Sequence, residues 1–250
     1  MVVRTDITIV TAGRADVLAA WVEAFKRSPN FGKFRVRVGD DGFPAEFRKT
    51  VEDAGFELFD MTEIRKRSVE IFHKQTVHHA MWYSKVDAML RGTKTRFCLW
   101  LDHDAEVRGD LEPIIDYGLS LGKWMCAPKY ASMPPKRYAG QRVTQNGMVL
   151  LDISDALVAT WRQVMLVRHD PNDETALPFV LGGFDKADAS IGDLYRPEWY
   201  ASVDCYSVVH QSLYVANELL KTNKDAAVRH WCAPCGKRTF MGMFKEGAEK

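Results

Sequence analysis

The sequence predicts an α/β fold in which helices flank a central, mostly parallel sheet. Strand-like and helix-like segments alternate along the first part of the chain, which is the order typical of parallel strands joined by crossover helices. The clearest strand is the apolar run Phe97–Leu101, which is short and has polar residues on both sides. Because its apolar residues do not alternate with polar ones, we expect a central strand that is buried on both faces.

The other elements follow from periodicity and from turn residues. Strands are predicted, in chain order, over residues 6–11, 34–39, 56–61, 97–101, 123–127, 142–152 and 226–231. Helices are predicted over residues 15–27, 44–54, 77–90, 154–167 and 208–221, and a loop over 186–202. No repeat or long linker divides the chain, so we expect one domain over residues 1–250.

The composition excludes several classes of protein. The 250 residues are 46% hydrophobic and carry a net charge of +1, which excludes long disorder and a uniformly basic surface. No apolar run reaches the ~18 residues that a transmembrane helix needs, and the first residues do not resemble a secretory signal. The five cysteines are an odd number in a long chain, which is not the pattern of a disulfide scaffold. We therefore expect a cytoplasmic protein.

The most informative segment follows the central strand. Asp102 and Asp104 stand directly after Leu101, at the edge of the sheet where α/β proteins bind ligands. In an extended segment, residues two apart point the same way, so both carboxylates can approach one point. Two like charges so close are tolerated best with a cation between them, and carboxylate oxygens suit Mg²⁺ or Mn²⁺. The alternative is a pair of turn aspartates that cap the next helix.

The same segment resembles the metal-binding motif of GT-A fold glycosyltransferases, and most of all the glycogenin-like branch. The matching residues are Asp102, Asp104, Val107, Gly109, Asp110 and Leu111. Weaker matches to the family lie on both sides of this segment, and over most of the chain they occur in the order expected for the family. The resemblance implies a GT-A fold, with residues 1–111 as a nucleotide-sugar-binding half and residues 112–250 as an acceptor-side half.

The resemblance also implies roles for individual residues. It implies a metal site of Asp102, Asp104 and His230 that holds Mn²⁺ or Mg²⁺. Donor-binding residues implied by it are Thr11, Ala12, Gly13, Asp40, Lys85, Asp102, His103, Asn146, Gly147 and Lys237. The chain departs from the family after His230, where the glycine and lysine are displaced, so Arg238 is an equal candidate for the role of Lys237.

The chemistry implied is transfer of a sugar from a nucleotide diphosphate sugar, of which a UDP-sugar is favoured. The leaving diphosphate gains negative charge, which a divalent ion and nearby lysines stabilise. Asp173 and Glu174 resemble the acceptor-side motif. With inversion, one of them takes the acceptor proton; with retention, which the resemblance favours, they position the acceptor.

Two other functions are compatible with parts of the sequence. A haloacid-dehalogenase-like phosphatase also places Asp-x-Asp after an apolar strand, but it has Thr or Val where this chain has Glu106. A zinc-binding module could use Cys232 and Cys235 with His230, although no fourth ligand is evident.

The acceptor is left open by the sequence. Residues 129–142 are basic, lack acidic residues and contain tyrosines, which is typical of a surface for anionic or nucleic-acid ligands. A solvated loop or a lid over the donor is the favoured interpretation of this stretch. A glycan, a protein, a lipid and a modified DNA base are therefore all candidate acceptors.

Overall fold

A computed structural model describes residues 3–73, 77–121, 125–128, 144–169, 176, 214–216, 227–231 and 240–244. None of the helices among them is long and apolar enough to cross a membrane.

A six-stranded sheet forms the centre of the molecule. Its strands are β1 (Arg4–Ala12), β2 (Phe34–Asp40), β3 (Glu57–Asp60), β4 (Phe97–Leu101), β6 (Met125–Pro128) and β7 (Thr144–Asp152), in the spatial order β3-β2-β1-β4-β7-β6. Neighbouring strands from β3 to β4 are parallel, and β7 runs antiparallel to both β4 and β6. The predicted α/β fold with a mostly parallel sheet is confirmed.

Helices flank this sheet. They are α1 (Ala15–Arg27), α2 (Ala45–Asp53), α3 (Thr62–Ile71), α4 (Val77–Gly92), α5 (Glu112–Leu121) and α6 (Ala156–Arg168). The sequence predicts α1, α2, α4 and α6, and their observed ends differ from the predicted ones by at most two residues. It does not predict α3 or α5. Charged residues dominate α3, and only Ser68 of that helix is buried, so its apolar face is too narrow to give a periodic signal.

The central strand β4 is buried on both faces, as its apolar run predicts. Leu99 and Leu101 pack in one hydrophobic cluster, which includes Trp21 of α1. Cys98 and Trp100 pack in a second cluster on the other side. Burial raises the pKa of the Cys98 thiol to about 12, so it behaves as a small apolar residue.

A second, smaller sheet corrects one prediction. It contains β5 (Ala105–Val107), β8 (Tyr214–Ala216) and β9 (Val228–His230), in the order β5-β9-β8. The helix predicted over 208–221 is therefore wrong at Tyr214–Ala216, and the rest of that segment lies outside the described residues, as does the predicted loop 186–202. Tyr214 and Val215 favour strands, and the parallel pairing with β9 outweighs a helical spacing of apolar residues.

Candidate functional site

The end of β4 and its antiparallel neighbour fix the backbone at Asp102. The backbone N–H of Asp102 donates to the carbonyl of Gly147 on β7, at 2.8 Å, which continues the pairing of Leu101 with Met148. The N–H of Ala105 donates back to the carbonyl of Asp102, at 2.9 Å, and closes a tight turn. The predicted donor residue Gly147 is thus adjacent to the predicted metal ligand Asp102.

The small sheet brings His230 to the same point. Ala105 of β5 pairs with His230 of β9, and the N–H of Trp231 donates to the carbonyl of Asp104 at 2.8 Å. The Nε2 atom of His230 lies 3.1 Å from Oδ1 of Asp104 and 3.6 Å from Oδ2 of Asp102. The three residues predicted as a metal site therefore meet, although His230 is far from the other two in sequence.

The chemistry of this cluster fits a divalent cation. One ligand atom from each of Asp102, Asp104 and His230 lies within 4.8 Å of the other two. Asp104 and His230 are only 3% and 5% exposed, so charge there is poorly stabilised by water. Carboxylate oxygens are ligands that Mg²⁺ and Mn²⁺ accept, and the imidazole adds a nitrogen ligand of the kind that binds transition-metal ions. These residues could hold such an ion.

Among the residues that the structure describes, Lys85 of α4 places a positive charge against the cluster. Its Nζ atom lies 3.1 Å from Oδ1 of Asp102 and 5.7 Å from the centre of the Trp100 ring. The indole N–H of Trp100 donates to the same Oδ1 atom at 2.6 Å. One oxygen of Asp102 is thus held by Lys85 and Trp100, while the other faces His230, which fixes the orientation of the carboxylate.

The turn after β1 lies against the motif. A Cβ atom on Gly13 would come within 2.4 Å of the Cγ and Nδ1 atoms of His103, so a side chain at this position would displace His103. The hydroxyl of Thr11, at the end of β1, is buried and has no hydrogen-bond partner among the described residues. A buried hydroxyl without a partner is a candidate group for ligand binding. Ala12, the last residue of β1, lies between these two positions.

Asp40 has a structural role in the turn that follows β2. Its Oδ1 atom accepts hydrogen bonds from the backbone N–H groups of Gly42 and Phe43, and its Oδ2 atom pairs with Arg48 at 2.7 Å. The neighbouring Asp41 pairs with Arg65 at 3.0 Å, and burial raises the pKa of Asp41 despite the opposing effect of that arginine. The donor role of Asp40 stays a prediction.

The rest of the motif holds the segment after β5 in position. A Cβ atom on Gly109 would come within 2.6 Å of the Cβ atom of Ala227, so the glycine permits close approach to the start of β9. The side chain of buried Asn30 donates to the carbonyl of Gly109 at 2.7 Å and accepts from the N–H of Leu111 at 2.9 Å. Close packing against Ala227 therefore explains the glycine at position 109, and the bonds to Asn30 hold the backbone of Gly109 and Leu111 in place.

Several predicted site residues lie outside what the structure describes. These are Asp173, Glu174 and Lys237, together with Cys232, Cys235 and the basic stretch 129–142. Asn146 is described only as a backbone position of β7. Their roles stay predictions.

Sequence reasoning missed three residues that contact the cluster or its neighbours. Trp100 is predicted only as part of a buried strand. Its position two residues before Asp102 was a signal that could have revealed the contact, because side chains two apart in a strand point the same way. Glu106 and Trp231 are joined by a hydrogen bond from the indole N–H to Oε2, at 2.9 Å. No local pattern connects these two, because they are 125 residues apart.

Comparison with known proteins finds similarity in structure only. No family model and no curated protein sequence matches the chain. The galactosyltransferase LgtC, solved in complex with donor and acceptor sugar analogs, is 14% identical with a TM-score of 0.56, over 96% of this chain and 95% of its own. The apo-form glycosyltransferase GlyE of Streptococcus pneumoniae TIGR4 is 13% identical with a TM-score of 0.54, over 98% of this chain and 64% of its own. The WbbM bifunctional glycosyltransferase is 10% identical with a TM-score of 0.56, over 93% of this chain and 47% of its own. The chain therefore has the GT-A fold of these glycosyltransferases.

Proposed function

We propose that the protein is a metal-dependent glycosyltransferase that moves a sugar from a nucleotide diphosphate sugar, such as a UDP-sugar, to a hydroxyl acceptor. The observation that carries this proposal is the cluster of Asp102, Asp104 and His230 at the carboxyl end of the central strand. The same fold occurs in known glycosyltransferases, and the end of a central strand is where α/β folds bind ligands.

In this proposal, Asp102, Asp104 and His230 hold Mn²⁺ or Mg²⁺. The bound ion supplies positive charge that stabilises the leaving diphosphate. Lys85 adds a second positive charge from α4, and Trp100 keeps the Asp102 carboxylate turned toward His230. A near-neutral chain can thus bind an anionic donor, because the positive charge is local.

The donor is proposed to lie along the turn after β1. Thr11 contributes its buried hydroxyl. Because Gly13 has no side chain, His103 can lie close to the turn. Ala12, Asp40, Asn146, Gly147 and Lys237 complete the proposed donor site.

The acceptor half of the reaction rests on sequence resemblance. The acceptor oxygen bonds to the anomeric carbon as the bond from that carbon to the donor phosphate breaks. With inversion, Asp173 or Glu174 receives the hydroxyl proton. With retention, as in the glycogenin-like branch, no strong base is required and these residues position the acceptor. A glycan, protein, lipid or modified DNA base remains a candidate acceptor, and a cytoplasmic location remains a proposal.

Thermal unfolding with ligands tests the proposal. We expect UDP-sugars to raise the unfolding temperature of the purified chain only when Mn²⁺ or Mg²⁺ is present, because a ligand that binds the folded state stabilises it. Asp104→Asn should abolish the shift, whereas Asp53→Asn, an exposed carboxylate of α2 that pairs with Lys49, should keep it.

Two outcomes would replace the proposal. Failure of every nucleotide sugar to stabilise the chain, together with phosphate ester hydrolysis that Asp102→Asn abolishes, would show a phosphatase. Zinc in the purified protein that the double variant Cys232→Ser/Cys235→Ser loses would show a zinc-binding module.

A further inference from the structure

Glu106 is a buried carboxylate in a strand that is otherwise apolar. Its neighbours in β5 are Ala105 and Val107, which both belong to the hydrophobic core. Glu106 is only 5% exposed, and burial of a charge is unfavourable unless hydrogen bonds compensate it. An apolar residue would lose less hydration energy than a carboxylate when it is buried here. We therefore expect the Glu106 carboxylate to have a specific role.

The groups that compensate Glu106 come from two directions. Its Oε2 atom accepts the hydrogen bond from the indole N–H of Trp231 at 2.9 Å, and its Oε1 atom lies 3.7 Å from Nε of Arg108. The indole ring of Trp231 also stacks on the fully buried ring of Phe240, with 6.3 Å between the ring centres. Trp231 is thus held on its edge by Glu106 and on its face by Phe240.

Trp231 directly follows the candidate metal ligand His230. Its backbone N–H donates to the carbonyl of Asp104, and its side chain donates to Glu106, so residue 231 is joined to both sides of Ala105. The backbone bond extends the pairing of β5 with β9 by one residue beyond His230, and the side-chain bond joins the same two segments beside it. They therefore fix the distance between His230 and Asp104 at the end of a very short ladder.

We propose that Glu106 is a positioning residue for the metal site: through Trp231 it holds His230 against Asp104 and thereby sets the affinity for the divalent cation. The inference rests on the proposed function. Groups that orient metal ligands in this way typically change metal affinity 10–100-fold when they are removed.

The test compares two uncharged replacements of Glu106. Glu106→Gln keeps an oxygen that can accept from the indole, whereas Glu106→Leu removes it and keeps an apolar side chain of similar size. Because both variants lose the charge, a difference in Mn²⁺ affinity that exceeds their difference in metal-free stability reports the hydrogen bond. Binding of Mn²⁺ is measured by electron paramagnetic resonance of the free ion, with thermal unfolding of the metal-free protein alongside.

We expect Glu106→Leu to bind Mn²⁺ about tenfold more weakly than Glu106→Gln, while its metal-free unfolding temperature is equal or higher. Trp231→Phe keeps an aromatic ring against Phe240 but loses the indole N–H. We therefore expect it to bind Mn²⁺ about tenfold more weakly than the unaltered protein, which is the factor expected between Glu106→Leu and Glu106→Gln. The double variant Glu106→Leu/Trp231→Phe should show no additional loss. If Glu106→Leu fails to fold, Trp231→Phe provides the same measurement.

Equal Mn²⁺ affinity in the Gln and Leu variants would overturn the inference and leave the proposed function intact. Loss of affinity only in proportion to loss of metal-free stability would also overturn it, because the role would then be structural. Failure of the unaltered protein to bind Mn²⁺ would instead remove the proposed metal site, and the inference with it.

Discussion

The two sheets of the molecule differ in size and in how they hold the candidate site. The large sheet has strands of up to nine residues, with a hydrophobic cluster on each face of β4. The strands of the small sheet, as described, have three residues each. The large sheet supplies Asp102, whereas the small sheet holds Asp104 and His230. One candidate ligand thus directly follows a long, buried sheet, whereas the other two are held by a few hydrogen bonds of a short one.

The largest effect should come from the ligand of the large sheet. Asp102→Asn removes a charge from the cluster, so we expect loss of metal-dependent binding and about 10³-fold slower sugar transfer. Stability should change little, because Asp102 is partly exposed. Transfer is measured as release of nucleoside diphosphate.

The matched control lies at the other end of the same strand pair. Asp152 of β7 faces Phe97 and pairs with Arg96. Asp152→Asn should therefore leave transfer unchanged. Equal loss in both variants would mean that the sheet, and not its carboxyl end, determines activity.

Lys85 separates the binding of metal from the binding of donor. Lys85→Met removes a positive charge 3.1 Å from Asp102, so Mn²⁺ binding to the free protein should become tighter. Transfer should nevertheless fall about 10²-fold, because a cation is lost where the diphosphate develops charge. Both quantities are measured on one preparation, with Lys94→Met, an exposed lysine just after α4, as the control. Weaker Mn²⁺ binding in Lys85→Met would contradict the role of Lys85 as a competing cation.

The smallest effects distinguish the two sheets directly. Leu99→Ala in the large sheet should lower the free energy of unfolding by about 3 kcal/mol and leave Mn²⁺ affinity nearly unchanged. Val228→Ala in the small sheet should cost about 2 kcal/mol or less yet weaken Mn²⁺ binding about tenfold, because Val228 anchors the strand that carries His230. Chemical denaturation and Mn²⁺ titration measure the two quantities. The reverse pattern would show that the small sheet contributes to stability more than to the site.

The sequence predicts the large sheet better than the small one for a physical reason. Strands such as Phe97–Leu101 are buried over their whole length, so their composition alone indicates their structure. The strand Tyr214–Ala216 exists because it pairs with Val228–His230, and such pairing leaves no local periodicity. For this reason a helix was the wrong prediction there.

The site shows the same division. The position of Asp102 and Asp104 after an apolar strand indicated the site, and the resemblance to glycosyltransferases added His230. The two carboxylates meet across a tight turn, however, and not along the extended segment that the spacing predicted. The hydrogen bond of Glu106 with Trp231 joins residues from distant parts of the chain, so it is not visible in a pattern of residue types. The bonds of Asp40 to Gly42 and Phe43 are local, and Asp40-Asp41-Gly42 is a pattern typical of turns.

The separation of Asp104 from His230 has a consequence for synthesis on the ribosome. The two residues are 126 positions apart, and the four strands β1 to β4 all precede Asp104. Chains fold from the N-terminal end as they emerge, so these strands are available before His230 has been translated. A growing chain therefore presents two carboxylates without their imidazole partner. The complete ligand set arises only after His230 has been translated, and a product truncated before residue 227 would contain all six strands of the large sheet but only two of the three candidate ligands.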